Sequence, residues 1–307
     1  MKRILLCLLS ILLKSLPVSA GPEAVVDDLG IEVRLATEPR RIVSLAPSNT
    51  ELLFALGLGD RVVGVTRFCN YPPAAQDIDA VAGFSDLSVE MIAAVRPDLV
   101  IASRGNDPES LETVRQMGVP VFALANNSVA DVIESARRIG RLTGWQQQAN
   151  ALAMDLQLRV DQVRDLVMAD SLSAPPRVLW GYVGDPIYTA GAGSIIDDVI
   201  ATAGGVNLGR EAGPGWPQIS LETVANWRVE VLLTSLQVGA EGPAAAVAAE
   251  LAQMRQLDGW RQLPCVTSGR LLHIDADVLT RAGPRIIAAV ELLAAQLHPL
   301  RSADGRE

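Results

Sequence analysis

Two histidines and three cysteines are all that these 307 residues hold of the side chains most used to bind metals or attack substrates. His273 and His298 lie far from each other and from the cysteines, so no zinc cage with ligand-like spacing can be drawn. Neither histidine accompanies a nucleophile elbow or a comparable serine or cysteine signature. Gly191-Ala-Gly193 lacks the third glycine of a dinucleotide fingerprint and reads as a turn before a helix. An enzyme is therefore not expected, nor an intrinsic cofactor, and any metal is expected to arrive inside its own chelate. Positive charge is scarce too. With 26 Lys and Arg against 35 Asp and Glu, the net charge is −9, and no basic stretch offers to replace phosphate counterions on nucleic acid.

Beyond residue 20 no run is long and apolar enough to cross a bilayer. The first twenty residues differ: Lys2 and Arg3 precede the apolar run Ile4–Leu13, and Val18-Ser19-Ala20 supplies the small residues of a cleavage site. Residues 1–20 are expected to be a secretory signal peptide, with an amphipathic anchor as the alternative. Cys7 sits too early in the run to carry a lipid. Export to the periplasm would leave Cys69 and Cys265 in a disulfide-permissive compartment. Their expected positions, after one strand and before another, put them at opposite sheet edges, so two free thiols are expected.

What the sequence has is apolar bulk, 49% of residues with only 20% charged, enough for one large or two medium domains. Short β-rich runs alternate with helical stretches: strands at Arg41–Leu45, Arg61–Val65, Leu99–Ala102 and Val119–Leu124, helices at Thr50–Leu56, Val89–Val95, Pro108–Met117 and Val129–Leu142. Such alternation implies parallel βαβ units. Trp145–Asp170 contains no Gly or Pro and places Leu152, Leu156, Leu158, Val160, Val163 and Val167 at helical spacing. Strand–helix alternation resumes at Arg177. The expected organisation is an α/β lobe over 37–143, a single long bridging helix over 144–171 and a second α/β lobe over 175–300. Two related lobes are also suggested by an internal match: Ser88–Ile101 aligns without gaps to Ser220–Leu233.

Ser48-Asn-Thr-Glu51 has the spacing of a capping box, with Ser48 and Glu51 closing the start of a helix. Ser88 and Ser220 read as N-caps, with Glu90 and Glu222 in the first turn facing the helix dipole. One carboxylate per lobe, on matching surfaces, suits two basic groups on a two-fold symmetric partner.

Ser44-Leu-Ala-Pro-Ser-Asn-Thr-Glu-Leu52, Asn70-Tyr-Pro-Pro73, Val95-Arg-Pro-Asp-Leu-Val-Ile101, Gly215-Trp-Pro-Gln-Ile-Ser220 and Arg281-Ala-Gly-Pro-Arg-Ile286 occur in that order. With these segments the chain resembles the periplasmic binding proteins of ABC importers for cobalamin and ferric siderophores, from about Arg40 to Leu297, and most closely the cobalamin-binding branch. The resemblance implies two Rossmann-like lobes joined by one rigid helix, with a chelate held between them and delivered to transmembrane permease subunits; a monomer suits such a diffusing carrier. It also implies that Phe68, Phe84, Tyr182 and Trp216 line the cleft, that Asp277 makes a polar contact to the ligand, and that Glu90 and Glu222 dock onto permease arginines. Phe84 stands where the cobalamin branch has a larger indole, which leaves room for another chelate. A ferric-siderophore or haem carrier is the alternative, for which Arg67 and Arg104 near cleft-facing strand ends would meet an anionic ligand. An enzyme of the same architecture acting on a chelated metal would need clustered His, Cys or paired carboxylates at the cleft, and the sequence offers none.

Overall fold

The computed structural model describes residues 21–170, 174–235 and 242–299. The expected signal peptide over residues 1–20 lies outside them, as do residues 171 and 300 at the ends of the expected bridging helix and second lobe. A small antiparallel hairpin, β1 (Val25–Val26) and β2 (Glu32–Val33), opens the chain.

The first lobe follows as β3 (Ile42–Ser44), α1 (Pro47–Ala55), β4 (Val62–Thr66), β5 (Ala80–Ala82), α2 (Val89–Ala94), β6 (Leu99–Ser103), α3 (Pro108–Gln116), β7 (Val121–Leu124) and α4 (Val129–Thr143). Its five strands lie side by side in the order β5-β4-β3-β6-β7, all parallel. Leu99, Val100, Ile101 and Ala102 are all fully buried. A strand apolar on both faces belongs in the middle of a parallel sheet covered by helices on both sides.

The bridging helix is α5 (Gln146–Ala169), 24 residues and roughly 36 Å long at 1.5 Å per residue. Gly144 at φ 78° ends α4 in the left-handed region, and α5 turns back across it. Gly140 makes that crossing possible, because a Cβ there would lie 2.2 Å from the Cβ of Ala149. Ala149 joins the first lobe's core, whereas Ala153, Leu156, Val160 and Val163 join the second's. One helix thus belongs to two cores. Leu158, expected on the apolar stripe, is 57% exposed. The two buried alanines complete the face in its place.

The second lobe runs β8 (Arg177–Trp180), β9 (Ile187–Tyr188), α6 (Ile195–Thr202), β10 (Val206–Asn207), β11 (Gln218–Ile219), α7 (Leu221–Asn226), β12 (Val231–Thr234), α8 (Pro243–Met254), α9 (Pro264–Thr267), β13 (Leu271–His273), α10 (Ala276–Leu279) and α11 (Ile286–Leu297). Its parallel sheet has the order β10-β8-β12-β13, with β9 and β11 forming a separate antiparallel pair. Arg159 of α5 grips Glu291 of α11 through two hydrogen bonds of 2.8 and 2.7 Å, fastening the bridge to this lobe. Gly191 and Gly193 form the expected turn before α6, whose N-cap is Ser194.

Candidate functional site

Three aromatic residues follow strands by two positions each: Phe68 after β4, Phe84 after β5 and Tyr182 after β8. The C-terminal edge of a parallel sheet is where α/β proteins receive ligands, since the loops there are free of the layers below. All three are exposed, Phe68 by 46% and Phe84 and Tyr182 by 38%. Trp216, just before β11, is 52% exposed and stands edge-on to Trp180, with ring centroids 5.5 Å apart. Tyr182 meets the same indole at 6.1 Å, so the second lobe presents a cluster of three rings. In the first lobe the Arg67 guanidinium lies 4.8 Å from the Phe68 ring while bonded to Asp86 at 2.8 Å. That bond holds the Asp86 carboxyl below the usual carboxylate range. Arg104 directly follows β6 and is exposed.

Asn106, unnoticed in the sequence, fixes the Phe84 loop. It is buried, donates to Leu45 O at 3.0 Å and Phe84 O at 2.7 Å, and accepts from Ser103 N at 2.7 Å. Three loops at one sheet edge are tied by one side chain. The Phe84 ring lies against Gly105, where an added Cβ would come within 2.9 Å of it.

The capping box expected at Ser48 and Glu51 does not form. Pro47 occupies the first helical position, Ala46 is the N-cap, and no side chain caps α1. Proline supplies a preset φ for the first turn and removes one of its four orphan N–H groups. Glu51 instead faces the other lobe, where its two oxygens accept from Arg285 at 2.6 and 3.0 Å. It is only 3% exposed. Burial pushes its carboxyl above the usual range, against the opposing pull of Arg285 and Arg281. Arg281 reaches Asp277 at 2.6 Å and the amide oxygen of Asn70 at 2.6 Å, and Asn70 donates back to Asp277 at 2.8 Å. Asp277 is thus engaged between the lobes, with 38% of its side chain still exposed.

Glu90 and Glu222 are exposed in the first turns of α2 and α7. Ser88 and Ser220 cap these helices as expected, accepting from Met91 N at 3.3 Å and Thr223 N at 3.2 Å. Each helix has six residues and is followed by an arginine at positive φ, Arg96 at 45° and Arg228 at 49°. No other described non-glycine residue has positive φ. They fall at matching positions of the internal repeat.

Cys69 and Cys265 are buried free thiols. Burial pushes the Cys265 thiol up to about 11. His298 is buried between Asp170, at 2.9 Å, and the carbonyl of Ala203, at 3.1 Å, a packing role. His273 Nδ1 lies 3.3 Å from Thr234 Oγ1, and burial lowers the ring's proton affinity. Thr234 also bonds the buried Glu250, whose carboxyl burial pushes above its usual range. Among the described residues no group of three or more His, Cys, Asp or Glu is arranged to hold a metal ion.

Two α/β lobes on one helical bridge are the architecture of a two-lobed binding protein. Residues 42–278 match the periplasmic binding protein family, and the chain belongs to it. It is 29% identical over 283 residues to the uncharacterized ABC transporter substrate-binding lipoprotein YvrC of Bacillus subtilis, covering 91% of this chain and 86% of that protein. The periplasmic heme-binding protein RhuT of Roseiflexus sp. RS-1, in apo form, superposes with a TM-score of 0.72 at 29% identity, over 84% of this chain and 98% of that one. The periplasmic vitamin B12 binding protein BtuF of Vibrio cholerae does so with a TM-score of 0.72 at 28% identity, over 85% and 97%. The family's proteins bind substrates for transport and are not enzymes.

Proposed function

We propose that this protein is exported to the periplasm, binds a corrinoid in the cleft between its lobes and delivers it to an ABC importer. The observation that carries the reading is the exposure of Phe68, Phe84, Tyr182 and Trp216 at strand-end edges in both lobes. A corrin is broad, flat and largely apolar on its faces, so aromatic platforms with few polar contacts match it. Asp277, at the junction, accepts from peripheral amides with the acceptor capacity that Arg281 and Asn70 leave. Glu90 and Glu222, one on each lobe and free to face a partner, dock onto basic residues of two permease subunits. The chain works as a monomer, and its residues 1–20 are removed on export, so the mature protein starts at or near Gly21.

A haem or ferric-siderophore ligand is the second reading. Phe84 in place of a larger indole and the exposed Arg104 favour a chelate with anionic substituents, and the Roseiflexus haem-binding protein is as similar as the Vibrio B12-binding one. Titration calorimetry of the purified mature protein with cobalamin, haem and a ferric siderophore separates the two. Heat with cobalamin alone supports the corrinoid. Heat with haem or siderophore and none with cobalamin replaces it.

A further inference from the structure

The lobes meet through polar side chains as well as through the bridging helix. Glu51, on the first lobe, is nearly inaccessible, yet its partners Arg285 and Arg281 come from the second lobe. Asn70 of the first lobe closes a second circuit with Asp277 and Arg281, and the Arg285 guanidinium is stacked 4.0 Å over the Tyr71 ring. Nearby, Asn126 donates to the carbonyl of Ala282 at 3.0 Å. A buried ion pair is stable only when its geometry is good and its remaining lone pairs are occupied. Two-point pairing plus neighbouring donors meets that condition.

Apolar packing also crosses the junction, where Val129, Val132 and Ile133 of α4 share a core with α6 and α11, and Val129 N donates to Asp198 at 2.7 Å. Beside the Glu51–Arg285 pair lies a cavity of about 390 Å³, walled by Phe54, Tyr71, Leu156 and Pro284 among others. On this side of the junction, rocking is resisted by the bonded set and by the close approach of Gly283 to α1. A Cβ on Gly283 would come 3.1 Å from the carbonyl oxygen of Ser48 and 3.2 Å from a Glu51 oxygen.

We infer that Glu51, Arg285, Arg281, Asp277 and Asn70 form an inter-lobe latch that sets the span between the two aromatic walls, making them the positioning residues of the cleft. The inference rests on the proposed reading of that cleft as the ligand site. A ligand touching Asp277 bears on the latch directly. Opening the latch frees the lobes to rock, which dilutes the one separation that grips a ligand on both faces. Apparent affinity falls by the fraction of molecules still at that separation, so a variant that spends one tenth of its time there binds about tenfold more weakly.

The test uses the mature protein with nitroxide labels at Met117→Cys and Val206→Cys, exposed sites on the two lobes away from the cleft. Pulsed electron resonance should give a narrow distance distribution in the parent and a broadened one in Glu51→Gln. Asn70→Ala removes an exposed bridging side chain without leaving a buried charge, so it folds whatever Glu51→Gln does, and it should broaden the distribution partially. Distributions as narrow as the parent's in every folded variant would overturn the latch. Cobalamin affinity by titration, about tenfold weaker in Glu51→Gln or about threefold in Asn70→Ala, ties the latch to the cleft. A broadened distribution with an unchanged affinity would overturn that tie. If the parent does not bind cobalamin, the corrinoid reading fails, while the label distances still decide the latch and haem replaces cobalamin as the affinity probe.

Discussion

Arg41 and Arg177 do the same work in different lobes. The Arg41 guanidinium donates to the carbonyl of Val95 at 2.7 and 3.0 Å, and that of Arg177 to the carbonyl of Trp227 at 2.8 and 3.3 Å. Val95 and Trp227 end α2 and α7, and are related by the offset that relates Ser88 to Ser220. The next residue in each case is the arginine held at positive φ. Asp98 then accepts from Arg41 N at 2.9 Å, as Glu230 accepts from Arg177 N at 3.1 Å. Capped first turn, bonded last carbonyl and left-handed exit together give Glu90 and Glu222 equivalent frames.

Those frames lead to the first expectation. Glu90→Lys and Glu222→Lys should each impair uptake in a transport assay while leaving ligand affinity in solution unchanged. Like charge at an interface costs several kcal/mol, whereas one carboxylate in a helix's first turn contributes roughly 0.3–1 kcal/mol to the fold. Normal uptake by both variants would reduce these carboxylates to helix stabilisers.

Trp216 should report on the ligand. Its indole is exposed and braced by Trp180, so a bound chromophoric chelate should quench its fluorescence. Trp216→Ala should weaken binding by about 1–3 kcal/mol, the loss typical of an aromatic anchor in a buried contact. Unchanged calorimetric affinity in the variant would move the site elsewhere.

Glu250 gives a dependence on pH. Its folded-state carboxyl titrates above the ordinary value because burial disfavours the charge. Such a group contributes its stability fully below its unfolded pKa and loses it as pH rises through the folded one. Glu250→Gln should therefore match the parent's melting temperature near pH 4 and exceed it at pH 8. The same gap at both pH values would show that Glu250 titrates alike in the folded and unfolded protein, with no shift from burial.

The thiols should be silent. Cys265 is held up to about 11 and Cys69 is enclosed by the hydroxyls of Thr50 and Thr66, each 3.2 Å from its sulfur. A colorimetric thiol reagent at pH 8 should find neither in the folded mature protein and both after denaturation. Failure to find two in denaturant would indicate an oxidised pair.

The lobes, the bridge and the caps at Ser88 and Ser220 were legible because their signals are local: periodicity, a breaker-free run, a serine before an apolar turn. The gapless match between Ser88–Ile101 and Ser220–Leu233 marked equivalent helix–strand units, because each repeats the same backbone exit. Glu51 was misread because its spacing from Ser48 fits a capping box. Its actual partner, Arg285, is 234 residues away, and no local pattern records a contact between lobes. Asn106 escaped for a related reason: a buried asparagine serving three loops resembles any loop asparagine in one dimension. The rings at 68, 84, 182 and 216 were placed by resemblance, since composition does not separate a displayed phenylalanine from a packed one.

Because α5 is the only covalent path between the lobes, each lobe is one uninterrupted stretch of chain, and assembly has a direction. A first lobe emerging from the ribosome or a translocation channel has all five of its strands before the second lobe's first strand exists. The leading turns of α5 can settle at once through Ala149. Leu156, Val160 and Val163 then wait as an apolar stripe until the second lobe's helices α6 and α11 arrive to cover it. That interval is when the chain is most prone to stick to its neighbours, and when a holding chaperone has most to offer.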